Sequence, residues 1–236
     1  RYGKYGSMIW DIRLYNLNND KISWITQNQR ATYPIWNMDA SGLYAVNHKN
    51  GIANLIYIDI KSLSITNITN FTDNVQIVTP SLSPDGKKIA YAKSSINGQM
   101  DIYIWDLESK SEIQIMKTKE LDYLPIWHSD GKSITYTSHK GSTPNLHTIN
   151  LNSLISNMIT DVADGVWGMQ FEPKSNSILA RTLNDVDSVR IISINPFRKT
   201  TTSTLNIRNE FTTWKSHSPF HKLQNINQDS TLTNTH

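Results

Sequence analysis

Pro80-Ser81-Leu82-Ser83-Pro84-Asp85-Gly86-Lys87-Lys88-Ile89-Ala90-Tyr91 is the stretch that decides the fold, because the chain writes a version of it four times. The other copies start at Pro34-Ile35-Trp36, Pro125-Ile126-Trp127 and Met169-Gln170-Phe171, so successive starts lie 46, 45 and 44 residues apart. Each start runs into a turn: Asp39-Ala40-Ser41-Gly42, Ser83-Pro84-Asp85-Gly86, Ser129-Asp130-Gly131 and Pro173-Lys174-Ser175-Asn176. Pro at the second turn position fixes φ, Asp bonds back to the turn backbone, and Gly accepts a positive φ. A fixed period in this range signals a repeat architecture, whose single unit cannot hide its apolar faces alone.

Four short runs rich in Ile, Tyr, Val and Thr fall in each period, separated by Gly, Asn, Asp or Ser, and they alternate with period two. No window of 11 or more residues carries a helical stripe. Four antiparallel strands per unit make one blade of an all-β propeller. This reading puts Trp36, Leu82, Trp127 and Phe171 between blades as core anchors, each burial being worth about 2–3 kcal/mol. Pro84, Asp85, Gly86, Asp130 and Gly131 are turn formers in the same frame, and the Asn or Asp that opens each third strand (Asn54, Asp101, Asn145) caps a turn.

Complete blades are expected over 34–79, 80–124, 125–168 and 169–210, with the last one's fourth strand at Thr201 to Leu205. Residues 1–33 give a partial blade, since Asp11 to Leu17 matches a third strand and Ile22 to Thr26 a fourth. In 211–236, Thr212-Thr213-Trp214 falls 43 residues after Phe171 as a lone first strand, and the polar tail from Lys215 is read as disordered. The ring is therefore incomplete or open: either the Trp214 strand joins the first partial blade, or blades upstream of Arg1 are missing. The second is favoured, since a chain that begins with Arg reads as a piece of a longer polypeptide.

The bulk numbers exclude several classes. The chain has 38% hydrophobic and 18% charged residues, a net charge of +3, and basic residues too scattered for nucleic acid. It has no cysteine, hence no disulfide framework or thiolate zinc site. No apolar run approaches the roughly 20 residues of a spanning helix. The Asn67 and Asn70 sequons are expected by chance in so Asn- and Thr-rich a chain.

The Pro80 copy, followed by Asp101-Ile102-Tyr103-Ile104-Trp105-Asp106-Leu107, resembles the repeat of the TolB-like (WD40-like, PD40) propellers. The Pro125 copy keeps Pro125, Trp127, Asp130, Gly131, Lys132 and Ile134; the Pro34 copy is looser, and the Met169 copy has lost Pro, Trp and Asp-Gly. The resemblance covers roughly residues 11–205 and rests on turn and packing residues, so it speaks to fold more than to role. It implies a module of a bacterial envelope protein, periplasmic or outer-membrane associated, with a protein or peptide partner. It also implies an alternative, a gating propeller of a peptidase whose catalytic domain lies outside this stretch.

No catalytic signature is present: no Gly-x-Ser-x-Gly elbow, no His-Glu-x-x-His, no phosphate-cradling glycine loop. The reading is a non-catalytic module with no cofactor and no metal. His48-Lys49-Asn50-Gly51 and His139-Lys140-Gly141 recur in the loop between second and third strands, with Lys93-Ser94 as the middle equivalent. That loop shares a face with the connection entering the next blade, which carries Arg30 and Tyr33, Gln76 and Thr79, Asp122 and Tyr123, and Val166 and Trp167. Arg30, Tyr33, Lys49, Gln76, Asp122, Tyr123, Lys140 and Trp167 are the candidate partner-binding residues, being of types enriched in interface hot spots or able to tune charge.

Overall fold

The computed structural model describes residues 9–94, 96–141, 143–162, 165–172, 177–185 and 188–196. Seventeen strands and no helix are found among them, in five antiparallel sheets. The first is a two-stranded ribbon of β1 (Arg13–Asn16) and β2 (Lys21–Trp24). Three four-stranded meanders follow. The first is β3 (Ala31–Trp36), β4 (Gly42–Lys49), β5 (Ile52–Asp59) and β6 (Ile65–Asn67). The second is β7 (Gln76–Leu82), β8 (Lys88–Ser94), β9 (Met100–Asp106) and β10 (Ser111–Gln114). The third is β11 (Asp122–Trp127), β12 (Ser133–Ser138), β13 (Asn145–Asn150) and β14 (Ser156–Met158). The last sheet shows β15 (Val166–Glu172), β16 (Ser177–Asp185) and β17 (Ser188–Ile194). The Pro173 turn, the Thr201 to Leu205 strand, the Trp214 strand and the polar tail lie outside the described residues.

The sheets are propeller blades stacked about an axis. Strands β3, β7, β11 and β15 are innermost, and each of the later three packs on the sheet before it. The sheets do not close into a ring among the described residues. Four apolar clusters fill the four seams, one for each pair of neighbouring sheets. Ile12 and Ile25 meet Leu43 and Ile58; Leu55 meets Ile77 and Ile89; Ile102 meets Trp127 and Ile134; Leu146 meets Phe171 and Ile178.

Sequence-local chemistry sets the turns. Ser83 Oγ donates to Asp85 Oδ1 at 2.6 Å, Lys87 N donates to the same oxygen at 3.0 Å, and Gly86 takes φ 72°. Asp130 and Gly131 repeat this in the third complete blade, with Lys132 N to Asp130 Oδ1 at 2.7 Å. In the first one Ala40 stands where the others have Gly, and it is held at φ 57°. The acid or amide opening each third strand does more than cap. Asn54 Oδ1 accepts from Thr69 Oγ1 and Phe71 N, and Asn145 Oδ1 from Thr160 Oγ1 and Val162 N, all at 2.7–2.9 Å. Asp11 does the same with Thr26 Oγ1 at 3.0 Å. Each partner threonine lies 15 residues on, so this clamp ties the third strand to the exit of the fourth.

One anchor departs from the expectation. Trp127 and Phe171 are 5% and 8% exposed and Leu82 is half-buried, but Trp36 is 45% exposed. Trp127 is buried because its indole lies against the innermost strand of the preceding blade, where Nε1 donates to Ser81 O at 3.0 Å. The sheet before Trp36 is the ribbon β1–β2, whose strands match outer ones, so among the described residues no inner strand covers that ring.

Candidate functional site: the axial channel and its face

Each innermost strand carries the same irregularity. The register with its neighbour slips between Thr32 and Ile35, Val78 and Ser81, Tyr123 and Ile126, and Trp167 and Gln170. Within each slip one residue is left-handed: Tyr33 (φ 52°), Thr79 (52°), Leu124 (54°) and Gly168 (61°). The first three precede Pro34, Pro80 and Pro125, a context that ordinarily drives the preceding residue to extended backbone. Each such residue costs on the order of 1 kcal/mol or more, and such strain gathers at functional sites. β-Bulges do the same work of re-aiming a strand.

The four bulges line one cavity of about 610 Å³ that runs along the axis from Tyr33, Thr79 and Leu124 to Pro84 and Ser129. Its walls include Pro34, Pro80, Pro125 and Met169 at one shared position, together with Trp127 and Phe171. None of its sixteen lining residues bears a carboxylate, amine, guanidinium or imidazole. Thr79 Oγ1 accepts from Leu124 N at 3.2 Å, joining two neighbouring bulges across the seam.

Around the bulge end of the channel, blade-to-blade bonds bring the predicted loops together. Gln76 Nε2 donates to Gly51 O at 2.6 Å, Gln99 Nε2 to Glu120 O at 2.5 Å, and Val166 N to Pro144 O at 2.7 Å. Each links a second-to-third-strand loop to the start of the next blade. Arg30, Tyr33, Lys49 and Lys140 are exposed there, while Gln76, Tyr123 and Trp167 are half-buried. His48 Nε2 bonds Thr32 Oγ1 and His139 Nε2 bonds the Tyr123 hydroxyl, each at 3.1 Å. Burial, followed by the Arg30 cation, pushes the His48 pKa down. Both imidazoles thus staple their loop to the first strand of the same blade. Among the described residues no three His, Cys, Asp or Glu converge as a metal site.

Two residues assigned to this face lie under it. Asp122 is fully buried, and its Oδ2 accepts from Thr118 Oγ1 at 2.7 Å. Counted from the proline, it takes the position of Ala31, Ile77 and Val166, all buried, so register alone would have found it. Its pKa is raised, by burial first, against the hydroxyls of Ser138 and Thr118, which lower it. Lys93, taken as the middle loop equivalent, pairs with Glu112 in the seam, and its Nζ lies 3.9 Å from the Tyr103 ring centroid. In the sequence the channel prolines and Met169 stand out only as repeat markers. What marks them as lining is that they share one position in four innermost strands.

These repeats place the chain among known proteins. The family model described as the TolB beta propeller domain matches residues 9–215. The chain belongs to that family. It is 30% identical over 155 residues to the Tol-Pal system protein TolB of Francisella tularensis, a match covering 65% of this chain and 34% of that protein. It is 28% identical over 116 residues to the uncharacterized peptidase YuxL of Bacillus subtilis, covering 47% of this chain and 18% of that one. The crystal structure of TolB from Acinetobacter baumannii has the same fold, with a TM-score of 0.68 at 19% identity over 78% of this chain and 46% of that one. The chain spans about a third of the length of the Francisella relative it matches.

Proposed function

We propose that this propeller is a non-catalytic platform that holds a protein or peptide partner over the bulge end of its channel, within a bacterial envelope protein. The observation that carries the reading is the channel itself: apolar, free of carboxylate, amine, guanidinium and imidazole groups, and ringed by three strained pre-proline bulges. A charge-free channel suits an apolar or aromatic segment, and the exposed Arg30, Lys49 and Lys140 set the charge of what surrounds it. Tyr33, Tyr123 and Trp167 supply aromatic contact area, and Gln76 a polar contact. The envelope setting follows from the likeness to Tol-Pal system proteins.

The test is peptide-display selection against the purified chain. The selected peptides should bind at least about tenfold more weakly to Tyr33→Ala, Tyr123→Ala and Trp167→Ala, the loss of roughly one hot-spot contact each. The thermal transition should stay sharp. Failure to enrich any peptide, or binding indifferent to these substitutions, overturns the reading.

The similarity to YuxL supports a second reading, in which the propeller gates a peptidase domain. The full-length gene separates the two: a fused α/β-hydrolase domain with a Gly-x-Ser-x-Gly motif supports the gate, and its absence the platform.

A further inference from the structure

Among the described residues, the outward face of β15–β17 is a blade seam without its second side. Ile191 opposes Arg181 across the ladder, the register position held by Leu55, Ile102 and Leu146 in the three preceding blades. Those three are fully buried, each beneath the following blade's first strand, whereas Ile191 is 73% exposed. Leu179, on the same face, is also exposed where Ala90 and Thr135 are buried. Val189 extends the bare surface. In the two preceding seams the cover is aromatic: Trp127 lies in one cluster with Ile102, and Phe171 in one cluster with Leu146.

We propose that Thr212-Thr213-Trp214 of this same chain supplies that cover, with Trp214 seated on Ile191 and Leu179. Three observations converge on this segment. Trp214 falls 43 residues after Phe171, continuing the series of 46, 45 and 44. The family match extends to residue 215, one past Trp214. The Ile191 position is covered by an aromatic of the next repeat in two of three complete seams, and by Leu82 in the other. The inference goes beyond the binding role, because it concerns which segment covers the last blade and not what the channel holds.

The chain has no cysteine, which makes the test direct. Ile191→Cys and Thr212→Cys are introduced together into the full chain, and the purified monomer is treated with a short bismaleimide. Thr212 is chosen because its counterpart two residues before Phe171, Met169, is buried in the Leu146 cluster. The expected product is an internal crosslink, identified by the mass of the joined tryptic peptides. Adding Trp214→Ala should slow its formation about tenfold or more, since the segment then loses the apolar contact that seats it. A crosslink between two copies assigns the face to a second chain and overturns the proposal. So does the absence of any crosslink, or one whose rate ignores Trp214→Ala. Single-cysteine variants control for chance reaction, and far-ultraviolet circular dichroism confirms that each variant retains its sheet structure.

Discussion

Trp127 and Trp36 occupy the same repeat position with different surroundings, so replacing each by Ala isolates what a preceding inner strand contributes. Their exposures are 5% and 45%. On an indole that buries on the order of 200 Å², Trp127 hides about 80 Å² more apolar surface, worth roughly 2 kcal/mol. Its hydrogen bond to Ser81 O adds about 1 kcal/mol. Trp127→Ala should therefore destabilise by about 3 kcal/mol more than Trp36→Ala, within the range found for removing a buried Trp. The assay is urea unfolding followed by circular dichroism, with both variants and the parent compared at a common slope. Equal losses would refute the argument, because they would mean that the Trp36 ring has a cover equivalent to the β7 strand. A Trp127→Phe variant, which keeps most of the area but loses the indole donor, should fall between, about 1 kcal/mol below the parent.

Further tests address pH and backbone. His147 is buried, and burial, followed by the Lys140 cation, pushes its pKa down to about 4. An unfolded His titrates near 6.5, so the unfolded chain takes up protons first and stability should fall as pH drops from about 6.5 to 4. A gap of that size is worth roughly 3 kcal/mol, and His147→Ile, which copies Ile56 and Ile192 at this register position, should remove most of that slope in chemical denaturation. Asp122 acts with the opposite sign. Its folded pKa is raised, so stability should decline as pH climbs from near 4, where the unfolded acid ionises. Asp122→Asn should flatten that decline, and a parent-like slope in the variant would contradict it. Ala40 sits at φ 57° where Gly86 and Gly131 stand in the next two blades, so Ala40→Gly should raise the unfolding midpoint by an amount equivalent to about 0.5–1 kcal/mol.

How much could be read without coordinates depends on how local the physics is. Ser83-Pro84-Asp85-Gly86 announces its turn because all the bonds that make it fall within five residues. The clamp of Asn54 on Thr69 is half visible in the sequence: the amide reads as a cap, and the threonine 15 residues on, shared with Asp11 and Asn145 but not with Asp101, was there to be found. Residue type and register disagree at Asp122, and register is the better guide. An acid suggests a surface, but Ala31, Ile77 and Val166 at the same step show a buried layer. The bulges were invisible. Pro34, Pro80 and Pro125 argue for extended backbone before them, and the left-handed Tyr33, Thr79 and Leu124 are imposed by the channel geometry against that preference.

The sequence alone determined the blade as a unit, its period, its turns and which residue of each repeat faces a neighbour, because hydrophobic alternation and turn chemistry act over a few residues. Only the tertiary structure decided which of those faces are covered. Trp36 and Trp127 share one motif, yet one ring is exposed and the other buried, since burial belongs to the pair of sheets and not to the residue. The channel is likewise a property of four strands brought side by side, and no single repeat contains it.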